Sequence, residues 1–131
     1  MQIERNVEND TSIPDTQAHA EAMSLPINTV VARLIALLGA TTVAVIGGVT
    51  ETRAVTQWTD GRSPQRPNVL RFALQIAMMI GGETHSEMVR AWFAGSNPHL
   101  EDQVPMLMLR DKPLNEISGS IVAAARAFAA R

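Results

Sequence analysis

The chain has 131 residues, 46% hydrophobic and 18% charged, with 11 basic side chains against 13 acidic ones and no cysteine. This length makes one domain, or two small ones sharing a core, and it buries roughly two thirds of the unfolded surface without a staple. Secreted cystine scaffolds and zinc-finger modules are excluded for want of thiols. Aromatics make up only 4%, and β-branched residues nowhere alternate with polar ones over a long stretch, so the expected fold is all-α.

The net charge of −2 argues against a wholly basic nucleic-acid binder, but the charge is uneven. Residues 1–26 carry Arg5 against Glu4, Glu8, Asp10, Asp15 and Glu21. Residues 27–82 carry Arg33, Arg53, Arg62, Arg66 and Arg71 against Glu51 and Asp60, so the basic surplus lies mid-chain. Residues 30–49 have one charge, Arg33, over the length of a membrane span. Gly39, the Thr41-Thr42 pair and Gly47-Gly48 interrupt the run and read as helix stops and starts, so no membrane span is expected. The N-terminus is acidic where a signal peptide needs positive charge, which leaves a cytoplasmic location as the expectation.

In chain order, residues 1–22 are polar and without periodicity and read as a flexible acidic tail. A helix follows from Pro26 or Ile27 to Leu38, capped by Ser24, opened by Pro26 and ended by Gly39, with Ile27, Val30, Val31, Leu34, Ile35 and Leu38 as its apolar stripe. A short segment over residues 42–46 ends at Gly47-Gly48, and a third helix runs from Thr50 or Thr52 to Gly61. The stretch Arg62-Ser63-Pro64-Gln65-Arg66-Pro67 is a loop. Asn68 then caps a helix carrying Val69, Phe72, Ala73, Ile76, Met79 and Ile80 up to Gly81. Thr84-His85-Ser86-Glu87 has the form of a capping box, opening a helix with Met88, Val89, Trp92 and Phe93. After the turn Ser96-Asn97-Pro98 come one or two helical turns from Pro105 to Leu109. A last helix over residues 114–130 has Leu114, Ile117, Ile121, Ala125 and Phe128 at helical spacing, with small residues Ser118, Gly119, Ser120, Ala123 and Ala124 on its other faces.

The chain contains no cysteine nucleophile, no G-x-S-x-G, no phosphate-binding glycine loop and no H-E-x-x-H. Glu83, His85 and Glu87 diverge on a helix and read as solvated groups at its N-terminus. No catalysis, cofactor or metal is expected. The segment 41–61 is better material, because two short helices around Gly48 match the geometry of a helix-turn-helix. Val49, Val55 and Trp58 would then be buried and Glu51, Thr52, Arg53, Thr56 and Gln57 exposed. Arg53 and Gln57 have donors for base edges, with Thr52 and Thr56 beside them, and Arg62, Arg66 and Arg71 stand where phosphate contacts would fall. The alternative is a structural corner of a packed helical domain.

The segment Trp92-Phe93-Ala94-Gly95-Ser96-Asn97-Pro98-His99-Leu100, followed by Val104-Pro105-Met106-Leu107-Met108-Leu109-Arg110 and then Val122-Ala123-Ala124-Ala125-Arg126-Ala127-Phe128, resembles the toxin-binding domain of the Xre/MbcA/ParS antitoxin family. Val55-Thr56-Gln57-Trp58-Thr59-Asp60-Gly61 is similar to the end of the recognition helix in that family's Xre-like half. Beyond the tail read over residues 1–22, the resemblance implies an Xre-like helix-turn-helix region over 23–82 and a toxin-binding domain over 83–131. It also implies a type II antitoxin that neutralises an NAD-degrading RES-domain toxin by placing its C-terminal helix at the active site, as a homodimer. In some members operator DNA is bound and the operon autorepressed. The implied toxin-binding residues are Trp92, Asn97, Pro98, Leu100, Arg110, Arg126, Phe128 and Arg131. Two departures stand out. An extra residue in Gly48-Val49-Thr50-Glu51-Thr52 places Glu51 against phosphate, and Glu101-Asp102-Gln103-Val104-Pro105 lacks the family's glycine before the proline. The alternative function is a stand-alone helix-turn-helix regulator.

Overall fold

Gly39 splits the twenty-residue apolar run. In the computed structural model, which describes residues 14–131, its φ of 87° lies where a side chain is strained; its N–H closes one helix on Ile35 O at 2.8 Å and its carbonyl opens the next through Val43 N at 3.2 Å. The helices are α1 (Asp15–Ser24), α2 (Ile27–Leu38), α3 (Ala40–Gly47), α4 (Thr52–Thr59), α5 (Pro67–Ile80), α6 (Ser86–Ala94), α7 (Pro105–Asp111) and α8 (Leu114–Ala130). Two 3₁₀ turns, Gly82–His85 and Pro98–Leu100, flank α6, and none of the helices is long and apolar enough to cross a membrane. The described residues are all-helical.

α5 is the axis of the fold. From Phe72 to Ile80 each of its residues is buried, as expected of a helix that is apolar almost all round, and α1, α2, α3 and α8 pack on it. Leu70, Leu74 and Ile76 are fully buried, each worth roughly 1.5–3 kcal/mol of apolar transfer. α2 lies between α5 and α6 through Val30, Val31, Leu34, Leu37 and Leu38, while α7 closes over α3 and α8 supplies Ile117, Ile121, Ala124 and Ala125. The two halves, 23–82 and 83–131, share one hydrophobic cluster.

Several local expectations change. Asp15–Ser24 is a helix, not tail; residues 1–13 of the expected tail lie outside the described residues. Ser24 does not cap α2: its hydroxyl donates to Glu21 O at 3.2 Å, and Pro26 is the cap residue, its carbonyl accepting from Thr29 N and Val30 N. Asn68 does not cap α5, because Pro67 already occupies the first turn and Arg66 the cap position. α6 starts only at Ser86, after the 3₁₀ turn, with His85 at the cap position in place of the expected Thr84 box.

Gly47 sets how closely α3 approaches α4. A β-carbon there would sit 2.7 Å from Trp58 Cη2, and Trp58 is a buried ring that cannot give way cheaply. Gly47→Val is expected to destabilise the fold by about 2–3 kcal/mol through overpacking, read from the urea midpoint.

Candidate protein-binding groove

The turn after α6 is built around Asn97, a polar residue only 8% exposed. Its Oδ1 accepts from His99 N at 2.9 Å, its N–H donates to Gln103 O at 3.0 Å, and its carbonyl accepts from Leu100 N at 2.9 Å and Asp102 N at 2.8 Å. Asn97 thus ties both arms of the loop, and it stands where only a short side chain with an acceptor can hold the turn. The missing glycine has a structural counterpart: Glu101 and Asp102 take φ of 56° and 64°, in the left-handed region that glycine favours.

Beside this loop the end of α8 crosses α6 and encloses a groove of about 380 Å³, lined by Trp92, Asn97, Pro98, Phe128 and Arg131 together with small residues of α6 and α8. Trp92 meets Phe93 edge to face at 5.3 Å. Its indole N–H is buried with no hydrogen-bond partner among the described residues. Such a donor costs about 1–3 kcal/mol. Arg131 lies over the Phe128 ring, 4.0 Å from its centroid, with Nη2 3.7 Å from Met88 Sδ. A cation at the C-terminal end of α8 also faces the negative end of the helix dipole.

The groove therefore collects five of the eight residues implied for toxin binding. Leu100 is buried at 3% exposure and supports the loop from beneath. Arg110 lies on α7 outside the groove, its guanidinium held by Asp111 at 2.6 and 2.9 Å; that hydrogen bond keeps the Asp111 carboxyl below its usual range and the Arg110 guanidinium above its own. Arg126 faces away from the groove and pairs with Asp15 on α1. Ser96 and His99 also line the groove; sequence reasoning left them out, although they sit inside the same quoted motif.

The segment 40–59 has the predicted exposure pattern except at Val49, expected to be buried. Val55 and Trp58 are buried and Val49 is half-buried, while Glu51, Thr52, Arg53, Thr56 and Gln57 are exposed, and Gly48 takes the left-handed conformation, φ 79°, at the turn. The basic surplus is largely spent inside the fold. Arg66 Nη1 donates to Ile46 O at 3.0 Å and Arg110 O at 3.3 Å, and its Nη2 to Leu109 O at 2.7 Å, so this guanidinium closes the C-terminal ends of α3 and α7. Arg71 closes α1 through Ala22 O and Leu25 O, and Arg33 pairs with Glu21 at 2.9 Å. Arg66 and Arg71 are thus not free phosphate ligands, contrary to the sequence expectation, because helix carbonyls already take their donors. Arg53 and Arg62 remain exposed, Arg53 within 3.7 Å of Glu51. Glu83, one of the acids weighed as a ligand, has its carboxylate 3.9 Å from Arg33.

Compared with known proteins, the chain matches no family profile, no curated protein and no solved structure.

Proposed function

We propose that the chain is a cytoplasmic type II antitoxin that binds an NAD-degrading RES-domain toxin and blocks its active site with the end of α8. The observation that supports this reading is the Trp92 groove. Two sequence segments that resemble the toxin-binding domain, 92–100 and 122–128, form the two walls of one concave surface ending in an arginine. Aromatic residues and arginine are the side chains that anchor protein interfaces. Arg131 would bring a planar cation to a pocket shaped for dinucleotide phosphates. Homodimer formation belongs to the same proposal, checked by light scattering, where a monomer at micromolar concentration would remove that part. The toxin reading is tested by co-expressing the chain with the product of its neighbouring gene and recovering the pair on affinity resin; a neighbour that is no RES-domain enzyme, or one that elutes alone, would refute it.

A second reading, operator binding through α3 and α4, is favoured by the exposed Thr52, Arg53, Thr56 and Gln57 on α4. With Arg66 and Arg71 engaged internally, Arg53 and Arg62 would carry the interaction. The Arg53→Ala/Arg62→Ala double variant is expected to weaken retention of upstream DNA in gel shift by about tenfold or more and to flatten its salt dependence. Equal retention of variant and parent would show that α4 is a structural corner.

A further inference from the structure

α1 is attached differently from every other helix. Of its residues only Ala18 and Ala22 are buried, and Met23 next to them is 50% exposed. Two methyl groups remove far less apolar surface from water than the leucines and isoleucines that seat α2 and α5. Polar contacts add to its packing on α5: Asp15 pairs with Arg126 of α8, His19 Nδ1 lies 3.0 Å from Gln75 Oε1 of α5, and Arg33 of α2 donates to Glu21 at 2.9 Å. Arg71 of α5 donates to Ala22 O at 2.9 Å and Leu25 O at 2.6 Å.

The surface beneath is built to match. α5 is apolar except for Asn68, Arg71 and Gln75, which follow one another at helical spacing on this flank, with Met78 beyond them accepting from Arg33 at 3.6 Å. The fit is incomplete. A cavity of about 770 Å³ remains between α1, α5 and α8, with Phe72, Gln75, Val122 and Arg126 in its wall and no carboxylate among its lining residues. Arginines from three helices thus face a short acidic helix, and the contacts of Arg71 with backbone carbonyls read a helix end irrespective of its side chains.

We infer that the α5–α8 flank is a docking groove for a short acidic helix with small residues at i and i+4, and that α1 is its intramolecular occupant. The occupant is held by charge over a small apolar seat. Partly exposed pairs are weak and screened by salt, so α1 opens before the rest of the fold, and an equivalent helix in trans competes for the place it leaves.

Hydrogen exchange on the full chain tests this. Between about 50 mM and about 1 M NaCl, which shortens the Debye length severalfold, amides of α1 should exchange at least about tenfold faster while those of α5 keep their protection. The Asp15→Asn/Glu21→Gln variant should show the faster α1 exchange already at low salt, with α5 protection reporting that it is folded. A fluorescent peptide of residues 14–25 should bind this full-length variant at least about tenfold more tightly than the parent chain. α1 amides as slow as those of α5 at both salt concentrations would overturn the inference, and so would a peptide that binds both proteins equally or neither.

Discussion

Arg66→Ala is expected to lower the unfolding free energy by about 3 kcal/mol. One guanidinium reaches Ile46 O, Leu109 O and Arg110 O, so its removal leaves the ends of α3 and α7 without their closing donors and unties both from the start of α5. A charged hydrogen bond contributes about 1.5–3 kcal/mol, but the three share one side chain and one lies at the surface, so the values do not add in full. Urea denaturation reads the change. Arg66→Lys should recover less than half of it, because an ammonium cannot span acceptors that a planar fork bridges. Full recovery by lysine would show that charge alone, set against two helix dipoles, is what Arg66 supplies.

Arg131→Glu is expected to weaken the proposed toxin binding at least about 30-fold, roughly 2 kcal/mol, while lowering the unfolding free energy by about 1 kcal/mol through loss of the cation over Phe128 and at the end of the α8 dipole. The side chain is exposed and stacks on Phe128 at the mouth of the Trp92 groove, so reversing its charge alters the proposed docking surface and, within the fold, only the end of α8. Arg110→Ala is the matched control. Arg110 is paired with Asp111 outside the groove, and its loss should leave affinity within about twofold, since exposed pairs away from an interface carry little energy. Isothermal titration of each variant against the toxin separates the two positions. A stronger effect at Arg110 than at Arg131 would move the interface from the end of α8 to α7.

The helices legible in the sequence are those with glycine or proline at their ends and leucine, isoleucine or valine along one face. α2 ends at Gly39, α5 starts at Pro67 and α8 follows Pro113, all close to where those residues place them. α1 escaped notice because its buried face is Ala18 and Ala22, which leave almost no amphipathic signal, and because its partners lie tens of residues away. The same distance hid the roles of Arg66, Arg71 and Arg90. Their acceptors are carbonyls at helix ends, and a carbonyl carries no sequence signature; Arg90, for example, closes α2 through Leu37 O at 3.0 Å. A surplus of arginine between residues 27 and 82 therefore reads as a phosphate-binding face until the fold shows the guanidinium groups of Arg66 and Arg71 turned onto backbone. The groove was legible as two motifs, but which of their residues share a surface was not. Only chain geometry separates Phe128 and Arg131, beside Trp92, from Arg126, which faces α1.

Titrating the purified chain against a RES-domain enzyme, should one be encoded beside its gene, with NAD⁺ consumption as the readout, tests the central proposal most directly. The proposed antitoxin should extinguish activity at a fixed stoichiometry, and the Arg131→Glu chain should require a large molar excess to do so. Undiminished NAD⁺ consumption at saturating concentrations of the folded parent chain would contradict it.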